Sequence, residues 1–190
     1  MSSTARGKQR NNDDYYVTPQ WMVDEFIEHF NADYPQDKDA FVLDPCAGGC
    51  DKYEMSYPTV LQQHGFKHVE TLDIRNDSRA NFILDYLEPQ LAPIYKLIIT
   101  NPPFNCSAEI AEKAFKDVST NGHIVMLQRL NWLGSKKRKS FWENAPLKHV
   151  YVHHKRAGFD PEKPSAKDSV EYAHFVFQRG YVGLSHISII

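Results

Sequence analysis

The chain has 190 residues, of which 42% are hydrophobic and 24% charged, with a formal net charge of −2; this is enough apolar material for one domain with a sizeable core and cramped for two. No apolar run approaches the roughly 20 residues that span a bilayer, and the first residues, MSSTARGKQRNNDDYY, lack the apolar centre of a secretory signal. The expectation is a cytoplasmic protein with no membrane partner, in which any nucleic-acid contact comes from a local basic patch rather than from overall charge.

Residues 1–14 are polar and charged without apolar periodicity, and read as a mobile tail ahead of a single domain over 15–190. Thr18-Pro19 reads as a helix start with the proline at the first helical position. Trp21, Met22, Phe26, Ile27 and Phe30 then repeat at helical spacing, and 32–39 ends the helix. Seven short apolar runs follow: AFVLD (40–44), HVETLD (68–73), NFILD (81–85), KLIIT (96–100), HIVMLQ (123–128), HVYVHH (149–154) and YAHFVFQR (172–179). Segments that can be helical lie between most of them, at 57–65, 107–118 and 136–144. Continuous apolar strands alternating with helices predict an α/β domain: a Rossmann-like sheet of seven strands, mostly parallel, with helices on both faces. No helix separates the last two runs, so they form an antiparallel pair in the edge region.

Cys46, Cys50 and Cys106 are an odd number of cysteines with no Cys-x-x-Cys pair, so neither a disulfide framework nor a metal site is expected. Ligands of such sheets bind beyond the carboxyl ends of the strands, and the residues there are informative. The first strand ends in Asp44-Pro45-Cys46-Ala47-Gly48-Gly49, where glycines let a backbone approach a ligand closely. The second ends in Asp73, an acceptor suited to ribose hydroxyls. The third ends in Asp85, and the fourth in Asn101-Pro102-Pro103-Phe104. Singly, each aspartate reads as a turn or cap residue and the glycine pair as a turn. The pattern is not G-x-G-x-x-G, which argues against a nicotinamide dehydrogenase.

DPCAGG (44–49) resembles the first cofactor motif of S-adenosylmethionine-dependent methyltransferases, and NPPF (101–104) resembles the catalytic motif of those that methylate exocyclic amines, chiefly N6-adenine DNA methyltransferases. TPQWMVDEF (18–26), LDIRNDSRANFILDYL (72–87), RLNWLGSKKRKSFW (129–142) and EYAHFVF (171–177) are similar to small phage-type enzymes of this class, and the likeness runs from about Tyr15 to Arg179. The chain departs from the pattern at Cys50, where the family often carries another glycine. The resemblance implies S-adenosyl-L-methionine as cofactor. Asp44, Pro45, Ala47 and Gly48 would lie beside its methionine portion, with Thr18 and Pro19 closing over that end, and Asn101 would also border the cofactor. Asp73 would hold the ribose, Asp85 would hydrogen-bond the adenine amine and Ile74 would pack on the adenine ring, although a strand-end isoleucine is commonly core.

Adenine N6 is a weak nucleophile because its lone pair is delocalised into the ring. Two acceptors, the Asn101 side-chain carbonyl and the Pro102 main-chain carbonyl, can hold its two N–H bonds and favour a tetrahedral nitrogen as charge develops. The prolines remove two donors and fix the turn; Phe104 offers a face for a flipped base. The structural alternative is a rigid corner with Phe104 in the core. Arg129, Trp132, Lys136, Lys137, Arg138 and Lys139 form the candidate DNA-binding patch, set against a solvated helix face with its aromatics turned inward. Lys155, Arg156 and the loop 157–169 form a second, weaker one. About 86 residues follow Phe104, and most belong to strands, so no separate target-recognition domain is expected. The alternatives are RNA guanine-N2 or protein-glutamine methylation, and a cofactor-binding protein without catalysis.

Overall fold

The computed structural model describes residues 16–163 and 165–190, so the expected tail over 1–14 lies outside the described residues. Helix α1 (Gln20–Asp33) leads into β1 (Phe41–Asp44), α2 (Ser56–Gln63), β2 (His68–Asp73), β3 (Phe82–Ile83), β4 (Tyr95–Thr100), α3 (Ser107–Asp117) and β5 (Val118–Arg129). Two short 3-10 turns and α4 (Lys139–Asn144) connect β5 to β6 (Leu147–Val152), β7 (Tyr172–Gln178) and β8 (His186–Ile189). The strands form one sheet in the order β3-β2-β1-β4-β5-β7-β6-β8. β7 runs antiparallel to both β5 and β6, and every other pairing is parallel.

Among the described residues the sheet has eight strands where seven were expected. β8 pairs in parallel with β6 and so displaces the β6/β7 pair from the edge. The third strand shrinks to Phe82–Ile83, and the fifth starts at Val118, five residues early, passing through Asn121 in the left-handed region at φ 61°.

Side chains alternate between two cores, as strand geometry requires. Leu43, Ile98, Ile124, Met126, Phe175 and Phe177 meet α3 and α4 on one face. Val42, Leu97, Ile99, Val125 and Val176 meet α1 and α2 on the other. Helix α1 buries Met22, Val23, Phe26, Ile27 and Phe30, while Trp21, read in the same helical repeat, is 39% exposed. The helical period puts Trp21 on one face with Glu25 and Glu28 at i+4 and i+7, a polar face at the margin of the sheet where Glu25 meets His153. Pro19 stands one residue before the helix, its carbonyl accepting from Met22 N–H at 3.0 Å. Among the described residues no helix is long and apolar enough to cross a membrane.

Candidate active site

β1, β2 and β4 are parallel, so Asp44, Asp73 and Thr100 end at the same edge of the sheet. Strand order reverses between β1 and β4, and a cavity lies at this switch point, where ligands of open α/β sheets bind. It is lined by the loop after β1 (Pro45, Cys46, Ala47, Gly48, Gly49), by Asp73 and Ile74 after β2, by Asp85, and by Asn101, Pro102, Pro103 and Phe104 after β4. Thr18 also lines it. The sequence therefore brings its glycine loop and its Asn-Pro-Pro-Phe corner to one cavity.

The glycine loop is held by its neighbours. Gly48 and Gly49 lie at φ 67° and 72°, a region that favours glycine. A Cβ on Gly49 would stand 2.5 Å from Met55 Cγ. Gly48 N–H donates to Asp73 Oδ2 at 2.7 Å, Arg75 Nη2 donates to the Gly49 carbonyl at 3.2 Å, and Ser78 Oγ donates to the Gly48 carbonyl. Asp73 Oδ1 accepts from Arg75 N–H at 2.8 Å. Asp73 thus ties the first loop to the second strand, and each oxygen retains a further lone pair. Cys50 closes a turn, its N–H donating to the Tyr53 carbonyl at 2.8 Å, so the departure from glycine there leaves the positive-φ pair intact.

Asp44 is 1% exposed and lies behind the lining. Its Oδ1 accepts from Cys46 N–H at 3.2 Å, while Oδ2 has no partner at hydrogen-bonding geometry among the described residues. Burial pushes its pKa up to about 7, opposed by the neighbouring Thr100 hydroxyl and the Cys46 N–H and reinforced by Asp73. An orphaned buried carboxylate oxygen is a natural partner for a cationic group.

Asn101 Nδ2 donates to Thr18 Oγ1 at 3.0 Å. Thr18 is itself fixed, its carbonyl accepting from Ser56 Oγ at 2.6 Å. With its amide nitrogen held, Asn101 keeps its side-chain carbonyl as an acceptor. Phe104 is half-buried rather than sealed in a core: the Arg129 guanidinium lies 5.1 Å from its ring centroid and Tyr172 lies 6.2 Å away. Ile74 is 58% exposed and lines the cavity, so the core reading of that isoleucine does not hold. Pro19 lines a neighbouring cavity instead of this one, because the chain turns away there into α1.

Of the expected basic patch, Lys136, Lys137, Arg138 and Lys139 remain side by side, while Trp132 and Arg129 part from them. Trp132 is 3% exposed and packs edge-on against Phe175, so it cannot fill a vacated base stack. Arg138 Nε is engaged by the Trp132 carbonyl at 2.8 Å, and Lys139 pairs with Glu143 at 3.4 Å. Lys136 and Lys137 are exposed. Arg129 leaves the group to stand over Phe104, donating to Tyr172 OH at 3.4 Å and pairing with Asp168 at 3.7 Å.

Sequence reasoning missed Cys46, Tyr57, Tyr86, Leu87, Cys106 and Ile110, all of which line the cavity. Cys106 and Ile110 carried a usable signal, since they face back from the start of the helix after the Asn-Pro-Pro-Phe corner. Tyr57 and Tyr86 carried none, because their positions depend on how α2 and the loop after β3 fold back.

No protein-family model and no curated protein matches the chain. Solved structures are similar to it. A Listeria monocytogenes protein described as a candidate class I S-adenosylmethionine-dependent methyltransferase is 13% identical at a TM-score of 0.64, with 97% of this chain and 68% of that one covered. The modification protein of the type I restriction enzyme EcoKI is 16% identical at a TM-score of 0.62, with 90% of this chain covered; the chain spans 46% of that protein. A candidate haemolysin of Lactococcus lactis is 12% identical at a TM-score of 0.58, with 96% of this chain and 95% of that one covered. The fold is that of the class I methyltransferases.

Proposed function

We propose that the protein is an S-adenosyl-L-methionine-dependent methyltransferase acting on the exocyclic N6 amine of adenine in DNA, with residues 15–190 as one catalytic domain. The observation that carries this reading is the shared cavity of the Gly48 loop and Asn101, with Asn101 held through Nδ2 so that its carbonyl oxygen is left to accept. The fold and its likeness to a restriction-modification protein support it.

The unpartnered Asp44 Oδ2 fits an ammonium group, and the remaining acceptor capacity of Asp73 fits a ribose. Asp44 and the Gly48 loop would hold the amino-acid end of the cofactor, Asp73 the ribose, and Asp85 with Ile74 the adenine. Bound there, the cofactor would supply an activated methyl group on a sulfonium. The protein's own work is then positional. Asn101 Oδ1 and the Pro102 carbonyl accept from the target amine and turn its lone pair, Thr18 positions Asn101, and Phe104 stacks the extruded base on the ring face that Arg129 leaves uncovered. A neutral amide is no strong base, so the amine's proton leaves to water.

Labelled methyl transfer to duplex DNA, single-stranded DNA and RNA in parallel, followed by digestion, tests the proposal. The expected product is N6-methyladenine from DNA. Asn101→Ala is expected to lower turnover by about 100- to 1,000-fold with cofactor affinity preserved. Label confined to RNA or protein, or full activity in Asn101→Ala, contradicts it.

A further inference from the structure

Beside the candidate active site lies a second groove, separated from it by Val17, which lines both. One wall is the start of α1, with Pro19 and the 39%-exposed indole of Trp21. The other is the loop between β6 and β7, contributing Lys155, Arg156 and Lys167. Lys155 Nζ stands 5.6 Å from the Trp21 ring centroid. Lys155 pairs with Glu25 at 2.9 Å and Arg156 with Glu171 at 3.0 Å, yet both basic side chains are 54% exposed and keep donors open to a phosphate, and the exposed Arg156–Glu171 pair is weak. Among the described residues no carboxylate lies within ion-pair distance of the exposed Lys167. Among the described residues Asp160 is the only acid lining the groove, and its Oδ1 already accepts from Glu162 N–H at 3.0 Å.

An exposed indole with Lys155 over one face of its ring, in a groove also lined by Arg156 and Lys167, matches one ligand chemistry: an aromatic base on a phosphate backbone, the base stacking on the face that Lys155 leaves open. We propose that this groove carries the nucleic-acid strand next to the target base, one unpaired neighbouring base stacking on Trp21 and its phosphates held by Lys155, Arg156 and Lys167. The proposal rests on the reading of the substrate as nucleic acid, and it moves the strand path away from the segment 129–139. It also gives the polar face of α1 a reason to carry an exposed tryptophan.

Fluorescence anisotropy of a labelled single-stranded oligonucleotide, titrated with the whole protein at several salt concentrations, tests it. Trp21→Ala should weaken binding by about ten-fold, and Trp21→Phe, which keeps a stacking face, should recover most of that loss. Lys167→Ala should weaken binding and flatten the log–log salt slope by about 0.7. Cofactor affinity should be unchanged in all three variants, which separates loss of the strand from loss of the fold. Wild-type affinity and salt slope in both Trp21→Ala and Lys167→Ala overturn the groove, and if the wild-type protein still methylates nucleic acid they do so while leaving the substrate reading intact. If the wild-type protein neither binds nor methylates any nucleic acid, the substrate reading falls and the groove with it.

Discussion

Asp44 holds its proton to about pH 7 because it is buried beneath the cavity. Its folded pKa lies above its ordinary value of 3.8, so between those limits the folded state binds more protons than the unfolded one. Stability from this group is therefore complete at low pH and lost as pH rises through about 7. Asp44→Asn should stabilise the ligand-free protein at pH 8 by on the order of a few kcal/mol and change little at pH 4, as thermal unfolding will show. If Asp44 meets the cofactor's ammonium, binding must expel that proton. Affinity should then fall as pH drops below 7, with proton release visible as a buffer-dependent heat in calorimetry. Equal affinity at pH 6 and pH 8 contradicts this placement. Gly49 gives a second check: at φ 72° and with a prospective Cβ 2.5 Å from Met55 Cγ, Gly49→Ala should cost about 1–3 kcal/mol of stability.

At the scale of elements, four of them are joined through one buried chain of polar groups. Glu25 of α1 accepts from His153 Nδ1 at 3.3 Å, just after β6. With Glu25 able only to accept, His153 Nε2 must accept from His174 Nδ1 of β7, at 2.8 Å, and His174 Nε2 then accepts from Tyr57 OH of α2, at 2.8 Å. Burial lowers His174 well below its ordinary pKa and lowers His153 to about 4. The unfolded chain thus binds more protons than the folded one between about pH 6.5 and 4, and stability contributed here is full above 6.5 and lost on acidification. Asp44 acts in the opposite sense throughout that range. Denaturant unfolding in an Asp44→Asn background should therefore show a steeper loss of stability from pH 7 to pH 4.5 than the wild type; a shallower one contradicts the assignment. The segment after β5 makes a different point. Trp132 belongs to the core, so Trp132→Ala should cost about 3–5 kcal/mol, whereas Lys136→Ala should leave both stability and nucleic-acid affinity unchanged.

At the scale of the whole molecule, the sheet was legible wherever a strand is buried on both faces. β1, β4, β5 and β7 appear in the sequence as unbroken apolar runs because the two cores meet on them. β8 was not legible: His186–Ile189 is a short edge strand whose Ile187 and Ile189 are each 67% exposed, so only pairing with β6 defines it. The site divides in the same way. Asn101, Gly48 and Asp73 could be read because polar residues at strand ends leave a local mark. Trp132 was misread because an aromatic among lysines looks the same in sequence whether it turns outward or into the core. The central claim is that one cavity brings the acceptor Asn101 to the activated methyl group. A crystal structure with S-adenosylhomocysteine tests it most directly. The account predicts ribose hydroxyls on Asp73, the amino-acid end over Asp44 and the sulfur facing the Asn101 side-chain carbonyl. A ligand bound elsewhere, or with its sulfur turned from Asn101, would contradict it.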